Sequence, residues 1–196
     1  MRPPNVNETP APANPDTEKA NANQVGRVGA PRLWQNRAMF RLDNEARLRQ
    51  AFRPKDASLL ELPPQMPFPL VSLDYLAWTH PAGGRVFLVF AFGKGAPATG
   101  IVFDSSQAAA GTGPQLCEFC HLTGVGTGVG LLTARLNSRK RVGIHACVDL
   151  SCKVKIEDEA SRSGRSSLPL IEKMLERVAR FASEGLRIDL SGAGRP

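Results

Sequence analysis

The chain has no apolar run near the roughly 20 residues that cross a bilayer, which excludes a helical membrane span. Its opening, MRPPNVNETPAPANPDTEK, has no apolar h-region and does not read as a secretory leader. Cysteine is scarce: four in 196 residues are too few for a disulfide scaffold. Without export the expected compartment is the reducing cytoplasm, where spaced cysteines more often hold a metal. Aromatic residues make up only 6% of the chain, so a platform for stacking bases is thin. Negative charge is sparse too: from Phe119 to Val148 there is no acidic residue, and the net charge of the whole chain is +7. That balance favours acidic partners, nucleic acid or an acidic protein surface, and carries no information about fold.

What is present falls into segments. Residues 1 to 31 hold Pro3, Pro4, Pro10, Pro12, Pro15 and Pro31 and almost no large apolar side chain. Such a stretch cannot bury enough surface to offset its ordering entropy and is expected to be a disordered tail. Order is expected from about Leu33. Asp43 to Arg53 reads as a helix capped by Asp43, with Leu48, Ala51 and Phe52 on one face and Pro54 as its stop. Residues 58 to 69, with four prolines, read as an extended connection. SLDYLAWTHP (72 to 81) is a short apolar segment whose Tyr75 and Trp78 should pack on the hairpin that follows, RVFLVFAFG (85 to 93) with TGIVFDSS (99 to 106). GLLTARL (130 to 136) and RVGIHAC (141 to 147) form a second hairpin about NSRK. From Leu168 to Glu184 apolar residues recur at helical spacing, Ser166 or Ser167 is the expected cap, and Pro169 is tolerated in the first turn. Residues 188 to 196 are expected to fray.

All four cysteines fall in two pairs, Cys117-x2-Cys120 and Cys147-x4-Cys152, separated by 26 residues. A tight turn lets the first two thiolates converge on one ion, and the second pair completes a tetrahedron suited to zinc. A knuckle, a hairpin, then ligands at a possible helical turn near Asp149 make the layout of a treble clef. Four protein ligands leave no open position, so the metal is read as structural, and the protein as non-enzymatic. Unligated buried cysteines, an iron–sulfur centre and a redox C-x-x-C are the alternatives. His145 and His121 stand close enough in sequence to replace a cysteine ligand. A nucleophilic Cys147–His145 pair lacks an acid to orient the imidazole. The run Gly124-Val-Gly126-Thr-Gly128-Val-Gly130 matches no phosphate-loop pattern and reads as a link. Arg135, Arg139, Lys140 and Arg141 crowd the hairpin tip, and Lys153 and Lys155 follow the last cysteine, an electrostatic footprint for RNA or an acidic protein.

The order of these parts resembles the elongation factor G-binding proteins, the FusB-type family associated with fusidic acid resistance, in their C-terminal treble-clef zinc-finger domain. The resemblance rests on Leu116-Cys117-x-x-Cys120 and Gly143-x-x-x-Cys147-x-Asp149-x-x-Cys152 and runs from about Asn44 to Arg187. It implies an α+β fold of antiparallel β-hairpins with a treble-clef zinc finger and flanking helices, a single domain over residues 32 to 187. Structural zinc would be held by Cys117, Cys120, Cys147 and Cys152, and Asp149 would cap the turn after the third cysteine. It also implies binding to elongation factor G and release of that factor from the ribosome, with the finger as the contact face. A ribosome- or RNA-binding finger acting without the factor is the alternative.

Overall fold

The computed structural model describes residues 39–93, 95–105, 113–124 and 128–191, all within the compact unit Leu33–Pro196. The expected tail at 1–31, residues 192–196 of the tail expected at 188–196, and the middle of the glycine-rich link lie outside the described residues.

A five-stranded antiparallel sheet organises the chain. Its order is β3 (Tyr75–Thr79), β4 (Arg85–Phe90), β5 (Thr99–Ser105), β8 (Val129–Arg135) and β9 (Arg141–Cys147). Both expected hairpins are in it, and the segment containing Tyr75 and Trp78 pairs with the first of them as β3. Strands alternate their side chains between faces, so a sheet covered on both sides reads as one apolar run. In β4, Val86, Leu88 and Phe90 enter one core, whereas Phe87 and Val89 enter the other. Each fully buried phenylalanine contributes roughly 1.5–3 kcal/mol of transfer free energy. Trp78 stacks on Phe87 with ring centroids 5.2 Å apart.

The smaller core is closed by β1 (Phe40–Leu42), its partner β2 (Leu70–Ser72), and two short helices, α1 (Glu45–Ala51) and α2 (Pro54–Ala57). Leu48, Ala51 and Phe52 are buried together, as the spacing predicts. The cap is Asn44, not Asp43: the Asn44 side chain accepts from the Arg47 N–H at 3.0 Å, while Asp43 pairs with Arg41. Nor is Pro54 only a stop. It opens α2, where a first-turn residue needs no N–H partner.

The larger core lies between the other face of the sheet and two helices, α3 (Cys152–Arg162) and α4 (Leu168–Arg180). The spacing showed only a turn where α3 stands. Ser167 sits at the N-cap of α4 but makes no side-chain cap bond; Pro169 occupies the first turn as expected. A π-helical turn, Phe181–Gly185, continues α4. Order runs past the expected end at 187. Arg187 takes a left-handed conformation, φ 53°, and turns the chain so that Ile188 donates to the Ala182 carbonyl at 2.9 Å and is buried. No helix among the described residues is long and apolar enough to cross a membrane.

Candidate metal centre

The sulfurs of Cys117, Cys120, Cys147 and Cys152 lie within 4.8 Å of one another, and all four residues are buried. Each pair is delivered by a different piece of backbone. Cys117 follows β6 (Gln115–Leu116), which pairs with β7 (Thr123–Gly124), so the C-x2-C turn is the loop of a small hairpin. Within it Cys117 N–H donates to Leu122 O at 3.0 Å, His121 N–H to Cys117 O at 2.8 Å, and the Cys120 N–H points to the Cys117 sulfur at 3.5 Å. Cys147 ends β9, and Cys152 is the first residue of α3. Asp149 fills the gap between them as expected: its carboxylate accepts from the Ser151 N–H at 3.0 Å. Leu150, at φ 55°, completes the bend.

The donor set passes a geometric test. Sulfur contacts are 3.7 Å for Cys117–Cys152 and 3.9 Å for Cys120–Cys147. Zinc–sulfur bonds of about 2.3 Å in a tetrahedron require edges of about 3.8 Å. A disulfide needs about 2.05 Å, and all four cysteines are free. Electrostatics agree. Cys117 is held far below the usual thiol range by hydrogen bonds from Cys120, Cys147 and Cys152. Cys147 and Cys152 are pushed far above it, first by their hydrogen bonds with Cys117. Sulfurs this close cannot all ionise unless a cation neutralises them.

Packing around the sulfurs is tight and specific. Glu118 N–H donates to His145 O at 2.8 Å and the His145 N–H returns a bond to the Glu118 carboxylate at 3.0 Å, which docks the knuckle on β9. Arg177 of α4 donates to the Phe119 carbonyl at 2.7 Å. Phe119 is buried against Phe103 and Phe181, so it offers no stacking surface. On the other side the Tyr75 hydroxyl donates to Leu150 O at 2.6 Å and accepts from the Lys153 N–H at 2.9 Å. Burial raises the Tyr75 pKa well above the ordinary phenol value. The Lys155 ammonium reaches the Cys147 sulfur at 3.3 Å and Gly128 O at 3.4 Å. Burial lowers its pKa, but the hydrogen bond to Cys147 and the neighbouring negative charges outweigh this and raise it.

Several sequence expectations are corrected here. His145 and His121 are exposed and neither joins the sulfur cluster; His145 faces Glu118 instead. Lys153 and Lys155 do not extend the basic surface freely. Lys153 pairs with buried Asp74 at 2.8 Å, and Lys155 turns inward to the sulfur. Spacing gave no sign of Tyr75, Lys155 or Arg177 as supports of the knuckles. The one retrospective signal is that Lys155 lies three residues after Cys152, on the same helical face.

No curated protein and no solved structure matches the chain. The model of one family does, described as the FBP C-terminal treble-clef zinc-finger, over residues 46–185. That span takes in both helices of the finger, both hairpins and all four buried cysteines. The chain therefore belongs to the FusB-type treble-clef zinc-finger family, and zinc is its structural cofactor.

Proposed function

We propose that this is a non-enzymatic cytoplasmic protein that binds elongation factor G through its zinc finger and promotes release of the factor from the ribosome. Cys117, Cys120, Cys147 and Cys152 are the four ligands, and residues 32 to 187, extended by the packing of Ile188, act as one domain. The match of the family model over residues 46–185 carries this reading. A four-thiolate site leaves no position for substrate or water, which supports a binding rather than a catalytic role. Among the described residues the finger also presents exposed apolar side chains: Val154 on α3 is 58% exposed and Leu116 before the knuckle 51%. Exposed apolar residues on a rigid, metal-tied frame are the material of a protein contact.

The test is size-exclusion chromatography of the zinc-loaded protein with purified elongation factor G, with Cys147→Ser as control and zinc quantified across the peaks. The expected result is a complex carrying one zinc per chain, lost in the variant. No complex at micromolar concentrations of fully loaded protein overturns the partnership.

A further inference from the structure

The hairpin tip is joined by a second basic segment that sequence order places far away. Arg53, at the start of α2, donates through its guanidinium to Arg135 O at 2.6 Å. Lys55 donates to Leu136 O at 2.7 Å. These bonds seat α2 on the tip of the β8–β9 hairpin. Within the hairpin Arg135 stands directly opposite Arg141, and like charges so placed destabilise a sheet. Arg139 and Lys140 are exposed in the turn, whose shape is set by the Asn137 side chain accepting from both their N–H groups.

Carboxylates compensate only part of this charge. Asp56 pairs with Arg53 at 2.6 Å, and Asp104 pairs with Arg141 at 2.8 Å and Arg85 at 3.3 Å. Among the described residues Lys55, Arg135, Arg139 and Lys140 are held in no ion pair. Burial first, then the charge of Arg53, lower the Lys55 pKa; the Asp56 carboxylate opposes this and Arg135 adds to it.

We infer that α2 and the β8–β9 tip form one surface that binds the phosphate backbone of a double-helical nucleic acid. Guanidinium and ammonium groups only partly matched by carboxylates, with Lys55, Arg135, Arg139 and Lys140 in no ion pair among the described residues, fit a row of phosphates. A protein partner would need an apolar anchor at the centre of the contact. None of the large exposed apolar side chains, Met39, Val71, Leu73, Leu116, Val154 or Leu170, lies in these segments. A single strand would need aromatic side chains to stack its bases, and neither α2 nor the tip carries one. The tip, where Arg135 pairs with Arg141, lies at the opposite end of the β8–β9 hairpin from Cys147, which pairs with Val129.

Fluorescence anisotropy of the full chain with an RNA duplex and a DNA duplex of the same sequence, over a salt series, tests this. Arg139→Glu/Lys140→Glu is the chosen variant because the turn's own hydrogen bonds use only the backbone of those residues. Unchanged zinc content and circular dichroism establish that it folds. Duplex binding that weakens with salt, and a log–log salt slope smaller by about 2 in the variant, is expected. Tighter binding of RNA than DNA identifies RNA as the source of the phosphates; equal binding identifies a backbone contact blind to the sugar. No binding at low salt, binding unchanged in the variant, or equal binding of polyglutamate overturns the inference.

Discussion

At the scale of single residues, the side chains that hold the two cysteine pairs in place are open to direct measurement. Tyr75 is the protein's one tyrosine, so its ionisation is read without interference from another phenol. Its folded pKa is raised above the unfolded value of about 10. The sign follows: the stability it contributes is full below about pH 10 and is lost as pH rises through the folded pKa. Ultraviolet titration of the native protein should show no tyrosinate at pH values where the denatured chain is half ionised. Tyr75→Phe leaves the Lys153 N–H and the Leu150 carbonyl without their partner and should cost about 1–3 kcal/mol in denaturant unfolding. Lys155 is different. Its bond to the Cys147 sulfur is placed to offset the negative charge that four thiolates would bring to a bound ion. Lys155→Met should leave the fold intact and weaken zinc retention by about 10–100-fold in competition with a chelator. An unchanged affinity would mean that the bond is only a surface contact.

At the scale of elements, close packing decides what the strands tolerate. Gly100 sits in β5 under the ring of Phe52, and a Cβ there would stand 2.5 Å from the ring carbons. Gly100→Ala should destabilise the protein by about 1–3 kcal/mol through overpacking, read as a lowered thermal midpoint at unchanged zinc content. The hairpins and α4 were legible in the sequence because each carries a long, regular apolar pattern. α3 was not: in CKVKIEDEASR the only buried positions are Cys152, Ile156 and Ala160, and the first of these reads as a metal ligand. β1 and β2 were hidden for another reason. Each is three residues long, and they pair across a long separation, Phe40 with Ser72. Asp43 and Asn44 are equally good caps by type; the ion pair of Arg41 with Asp43 leaves the cap to Asn44.

At the scale of the whole molecule, the metal site is not an appendage. The four cysteines are members of the larger core, together with Phe90 and Phe103 of the sheet and Met174 and Leu175 of α4. Burial of that core and closure of the thiolate cluster are therefore one event, and metal binding is linked to folding. Cysteine spacing made the cluster legible because it states which groups must meet. The supports around it were not legible, because Tyr75 and Arg177 reach the knuckles from elements remote in sequence, β3 and α4. The basic surface was half legible for the same reason: the hairpin tip is local, whereas α2 reaches it from about eighty residues earlier in the chain.

The most direct test of this account is zinc-edge X-ray absorption on the purified full chain, with the metal content measured on the same sample. The account predicts one zinc per chain with four sulfur neighbours at about 2.3 Å and no nitrogen or oxygen in the first shell. A histidine nitrogen or a water oxygen on the metal, or a folded chain without zinc, would contradict it.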